Sequence, residues 1–215
     1  MIKGLIFDLD GTLLNTISDL ANSVNAVLED YGFETFSDEE YKLKVGDGFK
    51  VLIEKALPLD KHDLVDEALE KFLYYYDKNY SSLTKAYDGI DDLLHKLQNK
   101  GIKLAVNSNK RDDYTKSLIN SNFKDINFVD IIGQTNGINK KPDPTAANII
   151  IEKMGLDKSE VLYIGDSATD IKTASNAHLS SVGVDWGFRG YKELKSAGAT
   201  YIVYKPLDIL DLIND

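Results

Sequence analysis

The stretch KGLIFDLDGTLLNT, residues 3–16, runs from apolar residues directly into acidic ones. Leu5-Ile6-Phe7 predicts a buried strand, and Asp8-Leu9-Asp10-Gly11-Thr12 follows it. A turn explains one Asp-Gly pair, because both residue types are common in turns. A metal and phosphate site explains why two carboxylates stand two residues apart. The rest of the chain has to decide between these interpretations.

Composition limits the possible functions of the chain. Its 215 residues allow one large domain, or one domain with a small insertion, and 43% apolar residues can fill a core. The net charge of -10 argues against a nucleic-acid partner, and no apolar run is long enough to predict a membrane span. Cysteine is absent, which excludes disulfides and thiolate chemistry. Met1 leads into a strand pattern rather than a signal peptide. The cytoplasm is the simplest expected compartment, although a chain without cysteine fits other compartments too. The sequence gives no indication of oligomeric state.

Residues 16–84 predict an all-helical segment. Apolar residues from Ile17 to Tyr31 recur at helical spacing, and Gly32 is a plausible end for that helix. Ser37 and Glu40 have the spacing of a capping box, which predicts a second helix. Further helices are predicted over about 49–57 and 61–80.

From Tyr87 onward, short apolar runs alternate with helical patterns. The runs that predict strands are Lys103–Ser108, Phe128–Gly133, Val161–Asp166, Ser181–Asp185 and Tyr201–Tyr204. This alternation favours a parallel sheet covered by helices on both faces. The predicted fold is therefore α/β, a doubly wound parallel sheet formed by residues 1–14 and 85–215. A small all-helical cap, residues 15–84, is inserted into it.

Polar residues follow these predicted strands or precede a helix. They are Asp8 and Asp10, Ser108-Asn109-Lys110, Lys140-Lys141, and Asp166 with Asp170. Ligands of doubly wound sheets bind beyond the carboxyl ends of the strands, so we expect these groups to share one edge. Four carboxylates at one edge would raise each other's pKa values, and a divalent cation relieves that repulsion. Mg²⁺ prefers oxygen ligands and is commonly completed by a substrate phosphate.

The remaining phosphate oxygens need donors, and three residues suit that role. Ser108 offers a hydroxyl and Lys141 a positive charge, while Asn109 could donate its backbone N–H. Lys110 is expected to lie at the periphery. A small phosphorylated metabolite is the expected partner.

Four short motifs, taken together, resemble those of the haloacid dehalogenase-like hydrolases. They are Asp8-Leu9-Asp10-Gly11-Thr12, an apolar strand ending in Ser108, Lys141 before Pro142, and Gly165-Asp166 followed by Asp170. The match covers essentially the whole chain, and within the family the chain looks most like phosphoglycolate phosphatases. Asn15 stands where many relatives have Asp, and Ser108 stands where phosphoglycolate phosphatases often have Thr. Both departures weaken any inference about the substrate.

The resemblance implies a mechanism and a metal. Asp8 would be the nucleophile, forming an aspartyl-phosphate, and Asp10 the general acid and base. Mg²⁺ would bind the carboxylates of Asp8 and Asp166, the backbone carbonyl of Asp10, and Asp170 directly or through water. Gly11 would let the chain bend after the strand, and Thr12 would support the loop. Family members that cleave carbon–halogen bonds typically lack the second acid, so Asp10 favours phosphoester chemistry.

The predicted cap also contains candidate substrate contacts. Gly46 and Gly48 could form a loop facing the substrate, although glycines also serve ordinary turns between helices. Lys44 and Lys50 are nearby candidates for a substrate carboxylate, but a solvated helix face explains them better.

Three functions stay open at this point. The first is a Mg²⁺-dependent phosphatase acting on a small metabolite such as phosphoglycolate. The second is a phosphomutase of the β-phosphoglucomutase type, which would have to protect its phospho-aspartate from water. The third is a non-enzymatic phosphate-binding regulator, and Asp10 argues against it because a binding protein needs no general acid.

Overall fold

A computed structural model describes residues 1–213, so residues 214 and 215 of the predicted core lie outside the described residues. The strands in chain order are β1 (Gly4–Phe7), β2 (Leu14–Asn15), β3 (Lys85–Ala86), β4 (Lys103–Arg111), β5 (Phe128–Gln134), β6 (Val161–Gly165), β7 (Ser180–Val184) and β8 (Tyr201–Val203). Six of them form one sheet in the order β5-β4-β1-β6-β7-β8. Every neighbouring pair in this sheet is parallel.

Helices connect most of these strands. The α-helices are α1 (Ile17–Asp30), α2 (Asp38–Lys42), α3 (Phe49–Ala56), α4 (Val65–Asn79), α5 (Ile90–Asn99), α6 (Asp112–Asn122), α7 (Thr145–Met154), α8 (Ala168–Ala177) and α9 (Gly190–Ser196). Short 3-10 turns lie at Leu59–Leu64, Lys158–Glu160 and Pro206–Leu210. This is the predicted doubly wound α/β fold, and the prediction is confirmed.

The strands of the sheet are covered on both faces, because successive side chains of a strand point to opposite sides. Leu5 and Phe7 of β1 belong to one buried cluster with residues of α5 and α6. Ile6, between them, belongs to another with residues of α7 and α8. These two apolar layers hold β1 in the middle of the sheet, and its carboxyl end is fixed with it.

Helices α1 to α4 form a separate buried cluster, which is rich in aromatic residues. The antiparallel pair β2 and β3 stands where this segment leaves and rejoins the sheet. The capping box predicted at Ser37 and Glu40 is present at the start of α2. The long helix predicted from Lys61 instead begins as a 3-10 turn, and its α-helical part starts at Val65. The division into a core and a cap spanning residues 15–84 stays a prediction.

Within residues 1–213, no helix is both long and apolar enough to cross a bilayer.

Candidate active site

Asp8 stands at the carboxyl end of β1, the strand from which the sheet winds in both directions. β1 pairs with β4 on one side and β6 on the other. The backbone N–H of Asp8 donates to the carbonyl of Ile164 on β6 at 2.9 Å. Positions of this kind, where strand order reverses, are where doubly wound folds bind ligands.

Asp8 forms a cluster with two other buried carboxylates, those of Asp166 and Asp170. One oxygen from each of the three lies within 4.8 Å of the others. Lys141 contacts two of them, because its Nζ is 2.7 Å from Asp8 Oδ1 and 2.8 Å from Asp170 Oδ1. The predicted convergence of these four residues from distant segments is therefore observed.

The cluster carries more negative charge than its surroundings neutralise. The pKa of Asp8 is raised to about 7, mainly by burial and also by the charge of Asp170, although Lys141 acts to lower it. Burial, followed by the charges of Asp170 and Asp8, raises the pKa of Asp166 well above its usual range. Burial alone would lower the pKa of Lys141, yet Asp170 and Asp8 hold it well above its ordinary value. Three carboxylates thus share one ammonium group.

This donor set fits a hard divalent cation. Such ions take carboxylate oxygens as ligands, and their charge would offset the excess on Asp8, Asp166 and Asp170. Asp170 has a second task, because its Oδ2 accepts hydrogen bonds from the Ser167 hydroxyl at 2.7 Å and from the Ser167 N–H at 3.2 Å. It therefore caps α8 while it faces the cluster, so the two roles weighed for it are compatible.

Asp166 is held in place by two loops that pass close to it. A side chain at Gly11, which has φ +82°, or at Gly187 would collide with Asp166. The backbone N–H of Phe188 donates to Asp166 Oδ2 at 2.7 Å. Gly11 therefore serves close approach as well as the predicted bend. Thr12 is buried, and its carbonyl accepts from Trp186 Nε1 at 3.1 Å, which ties the same two loops together.

Asp10 lies outside the carboxylate cluster and has its own partners. Its Oδ1 accepts from Thr16 Oγ1 at 2.6 Å and lies 3.0 Å from Lys110 Nζ. Lys110 is 3% exposed, and its ammonium lies 5.5 Å from the ring centre of Phe49 and 5.1 Å from that of Tyr76. Burial acts to lower the pKa of Lys110, but Asp10 and Tyr76 raise it above its usual value.

The peripheral position expected for Lys110 is therefore wrong. Its predicted strand stops at Ser108, whereas β4 continues to Arg111 and carries Lys110 into the site. Ser108 and Lys110 are two residues apart, and side chains at that spacing on a strand share a face. That spacing in the sequence could have placed Lys110 in the site beside Ser108.

Ser108 and Asn109 line the same cleft as Asp8 and Lys141. Ser108 Oγ accepts from the Lys110 N–H at 3.2 Å. The Asn109 side chain accepts from the Lys141 N–H at 2.8 Å and donates to the Gly46 carbonyl at 3.0 Å. Asn109 therefore fixes the segment that carries Lys141 and touches the helical segment. Contact of either residue with phosphate stays a prediction.

The cleft lies between the sheet edge and the helical segment and holds about 560 Å³ of empty space, part of it open to solvent. Its wall on the helical side consists of Leu20, Val45, Gly46, Gly48, Phe49 and Leu52. Lys44 and Lys50 are not part of this wall. Lys44 donates to the Lys55 carbonyl, and Lys50 pairs with Asp66 in solvent.

Arg189 is a second residue of the cleft that the sequence analysis missed. It follows the loop that binds Asp166, and its Nη2 donates to the Val45 carbonyl at 2.8 Å. No local pattern marks it, because its position depends on how residues 186–188 pack against the loop after β1.

Comparison with known proteins agrees with this geometry. Residues 5–184 match the family model of the haloacid dehalogenase-like hydrolases. The chain is 29% identical to a phosphoglycolate phosphatase of Vibrio parahaemolyticus, over 99% of this chain and 96% of the relative. It is 30% identical to a phosphoglycolate phosphatase of Aquifex aeolicus, over 100% of this chain and 98% of the relative.

Solved structures show the same similarity. A crystal structure from Lactobacillus delbrueckii subsp. bulgaricus, named as a candidate phosphoglycolate phosphatase, is 32% identical and superimposes with a TM-score of 0.91. The match covers 98% of both chains. The similarity therefore includes the helical segment as well as the sheet.

Proposed function

The chain belongs to the haloacid dehalogenase-like hydrolase family, and from that premise we propose that it is a Mg²⁺-dependent phosphatase of small phosphomonoesters. The proposed reaction passes through an aspartyl-phosphate on Asp8. One observation carries the proposal. Asp8 and Asp10 line one cleft, yet Asp8 lies in a carboxylate cluster beside Lys141, while Asp10 is held apart by Lys110 and Thr16. Two acids in different surroundings suit two different roles.

Asp8 is the nucleophile in this proposal. Its carboxylate attacks phosphorus, the bond to the leaving alcohol breaks, and the phosphoryl group is transferred to Asp8. Lys141 lies 2.7 Å from Asp8 Oδ1 and holds the carboxylate against the charge of Asp170. Its ammonium also suits the oxygens of the phosphoryl group, as do Ser108 and the backbone N–H of Asn109.

Asp10 moves the proton. It protonates the oxygen of the leaving alcohol, and then takes a proton from the water that attacks the phosphorylated Asp8. Its hydrogen bond from Thr16 and its ion pair with Lys110 hold it at the edge of the cleft. A hydrolase, unlike a mutase, must let water reach the phosphorylated Asp8, and no observation favours the mutase alternative.

We assign the metal position to the side chains of Asp8 and Asp166, with Asp170 binding directly or through water. The backbone carbonyl of Asp10 is the fourth proposed ligand. A bound Mg²⁺ would neutralise charge on the phosphoryl group. Gly11 and Thr12 shape the loop that carries Asp10 and leaves room for Asp166.

We further propose that residues 15–84 act as a cap over a core of residues 1–14 and 85–215. The short ribbon of β2 and β3 connects the two parts. Core side chains reach the loop before α3, since Asn109 and Arg189 donate to the carbonyls of Gly46 and Val45. A cap held in this way excludes water from the attack and samples the leaving group.

Phosphoglycolate is the substrate we propose to test first. Relatives of the chain's full length are named phosphoglycolate phosphatases. The wall of the cleft is short of hydroxyl and amide groups on the helical side, where Val45, Phe49 and Leu52 lie. Such a wall suits a small leaving group better than a sugar ring, whose hydroxyls would lose their hydrogen bonds.

The test is a phosphate-release screen over small phosphomonoesters, with and without Mg²⁺, on the wild type and the variants Asp8→Asn and Asp10→Asn. We expect release that requires Mg²⁺ and is lost in Asp8→Asn. Activity that survives Asp8→Asn would refute the nucleophile. Conversion of a hexose 1-phosphate to the 6-phosphate, without phosphate release, would instead support the mutase.

A further inference from the structure

We propose that Arg189 recognises a carboxylate of the substrate that is attached directly to the phosphoester carbon. The inference rests on the proposed function and deepens it, because it assigns recognition of the carboxylate of a short phosphorylated acid to one residue. It concerns a residue outside the four motifs, in the loop between β7 and α9.

Arg189 lies between the sheet and the helical segment. Its side chain is 13% exposed and lines the same cleft as Asp8 and Ser108. Its Nη2 donates to the Val45 carbonyl at 2.8 Å, which uses one of the five N–H groups of the guanidinium. The head group is therefore positioned by the protein before any ligand arrives.

A charge comparison singles out Arg189 among the basic residues that line the cleft. Lys110 is paired with Asp10, and Lys141 with both Asp8 and Asp170. Arg189, by contrast, has no carboxylate within hydrogen-bond distance in residues 1–213. The carboxylate of Glu193 is 3.9 Å from its Nε, and the same oxygen of Glu193 accepts from the Ala168 N–H at 2.9 Å. Arg189 keeps the capacity to bind a further anion.

The chemistry of that anion follows from the guanidinium and its neighbours. A planar fork of N–H groups matches the two oxygens of a carboxylate, and such charge-assisted pairs are stronger than neutral hydrogen bonds. The neighbouring wall is formed by Val45, Gly46 and Phe188, which offer no side-chain donors or charges to a larger polar group. Asp8 and Arg189 line the same cleft, and in this proposal a short acid places its phosphoryl group at Asp8 and its carboxylate at Arg189.

The test compares two substrates that differ only at this group. Phosphoglycolate has a carboxylate where ethyl phosphate has a methyl group. We expect Arg189→Gln to lower kcat/KM for phosphoglycolate by about 30-fold, within the range for a lost charge-assisted pair. For ethyl phosphate we expect a change of less than about threefold, because that substrate never uses the guanidinium. Arg189→Lys keeps the charge without the fork and should fall between the two.

Lys50→Gln is the matched control, because Lys50 is exposed and pairs with Asp66 outside the cleft. It should change neither substrate's kcat/KM. Melting curves of the variants show whether each is folded, and Arg189→Lys provides a second reading if Arg189→Gln is not.

Two results would overturn the inference. An equal loss on both substrates would make Arg189 a contact between the sheet and the helical segment only, and no loss on either would remove it from recognition. Failure of the proposed function is a separate outcome, in which the wild type releases phosphate from neither substrate or does so without Asp8. Release that depends on Asp8, with no preference for the carboxylate, would leave the phosphatase assignment intact and reject the role of Arg189.

Discussion

The floor of the cleft and the interior of helices α1 to α4 are both buried, but the floor consists of charged side chains and the helical interior of apolar ones. The floor brings the carboxylates of Asp8, Asp166 and Asp170 together around one lysine. The helical interior packs rings such as Phe72 and Tyr76, whose centres are 5.1 Å apart. Burial of each such ring stabilises the fold by about 2 kcal/mol, whereas buried like charges oppose it.

This difference means that the apolar regions stabilise the fold, whereas the charged floor supplies the proposed chemistry. The apolar layers on the two faces of the sheet hold the floor in an arrangement that its own charges disfavour. Substitutions in the floor should therefore affect activity more than those in the helical segment, and one of them should even increase stability.

The largest effect is expected at Asp8. Asp8→Asn removes the proposed nucleophile while keeping the shape of the side chain, so kcat should fall by about 10⁴-fold or more. Steady-state phosphate release measures it. Asp63→Asn, an exposed residue of the helical segment, is the control and should leave kcat unchanged. A fall in kcat of less than tenfold in Asp8→Asn would contradict the expectation that substitutions in the floor affect activity more than those in the helical segment.

The next effect is expected at Lys110, where the two regions meet. Lys110→Met keeps much of the side chain's volume but leaves Asp10 without its cation, so kcat should fall by about 100-fold, typical of a displaced general acid. Lys124→Met, at an exposed residue between α6 and β5 that does not line the cleft, should have no effect. Wild-type turnover in Lys110→Met would mean that Asp10 needs no positioning by this ion pair.

A third substitution should increase the stability of the protein, because the buried negative charge of the floor lowers the free energy of unfolding. The folded-state pKa of Asp8 is about 7 against an ordinary value of 3.8. With the folded value raised, the residue's contribution to stability is complete below about pH 4 and is lost as the pH rises through 7. The loss amounts to about 1.4 kcal/mol for each pH unit in that window.

Asp8→Asn abolishes this dependence, although Lys141 then keeps only Asp170 as a partner. In the presence of a chelator at pH 8, the variant should therefore unfold at higher denaturant concentration than the wild type, by about 2 kcal/mol, with a smaller difference at pH 4. Urea unfolding measures it. Added Mg²⁺ should stabilise the wild type more than the variant. A wild type that is the more stable protein at pH 8 without metal contradicts this expectation.

The smallest effect is expected within the helical segment. Ser37→Ala removes the capping box with Glu40 and should lower the free energy of unfolding by about 1 kcal/mol. Because Ser37 lies outside the cleft, kcat should change by less than about twofold. Thermal melting and phosphate release check the two halves of this prediction. A fall in kcat greater than about twofold in the folded variant would show that α2 takes part in catalysis.

Much of the floor could be predicted from the sequence, because each acid follows an apolar run that predicts a strand. Parallel strands bring their carboxyl ends to one edge, which is why Asp8, Ser108 and Asp166 could be placed together before any coordinates. The five strands predicted after Tyr87 are all present, with ends that differ by a few residues.

The partners of Asp10 and the position of Arg189 could not be predicted in the same way. Lys110 enters the site because β4 continues past Ser108, and the end of a strand is set by tertiary pairing more than by local pattern. Arg189 reaches the cleft because the residues before it bind distant segments. Trp186 donates to Thr12 in the loop after β1, 174 residues away in sequence, and Phe188 donates to Asp166 after β6, 22 residues away. Contacts of that range leave no local signature.

The central claim is that Asp8 receives the phosphoryl group, and direct labelling tests it. The protein is mixed with Mg²⁺ and phosphoglycolate carrying a radioactive phosphoryl group, quenched in acid within the first turnover, and mapped by peptide mass spectrometry. We predict label on the peptide containing Asp8 in the wild type and none in Asp8→Asn. Label on another side chain, or phosphate release at the wild-type rate by Asp8→Asn, would contradict the mechanism.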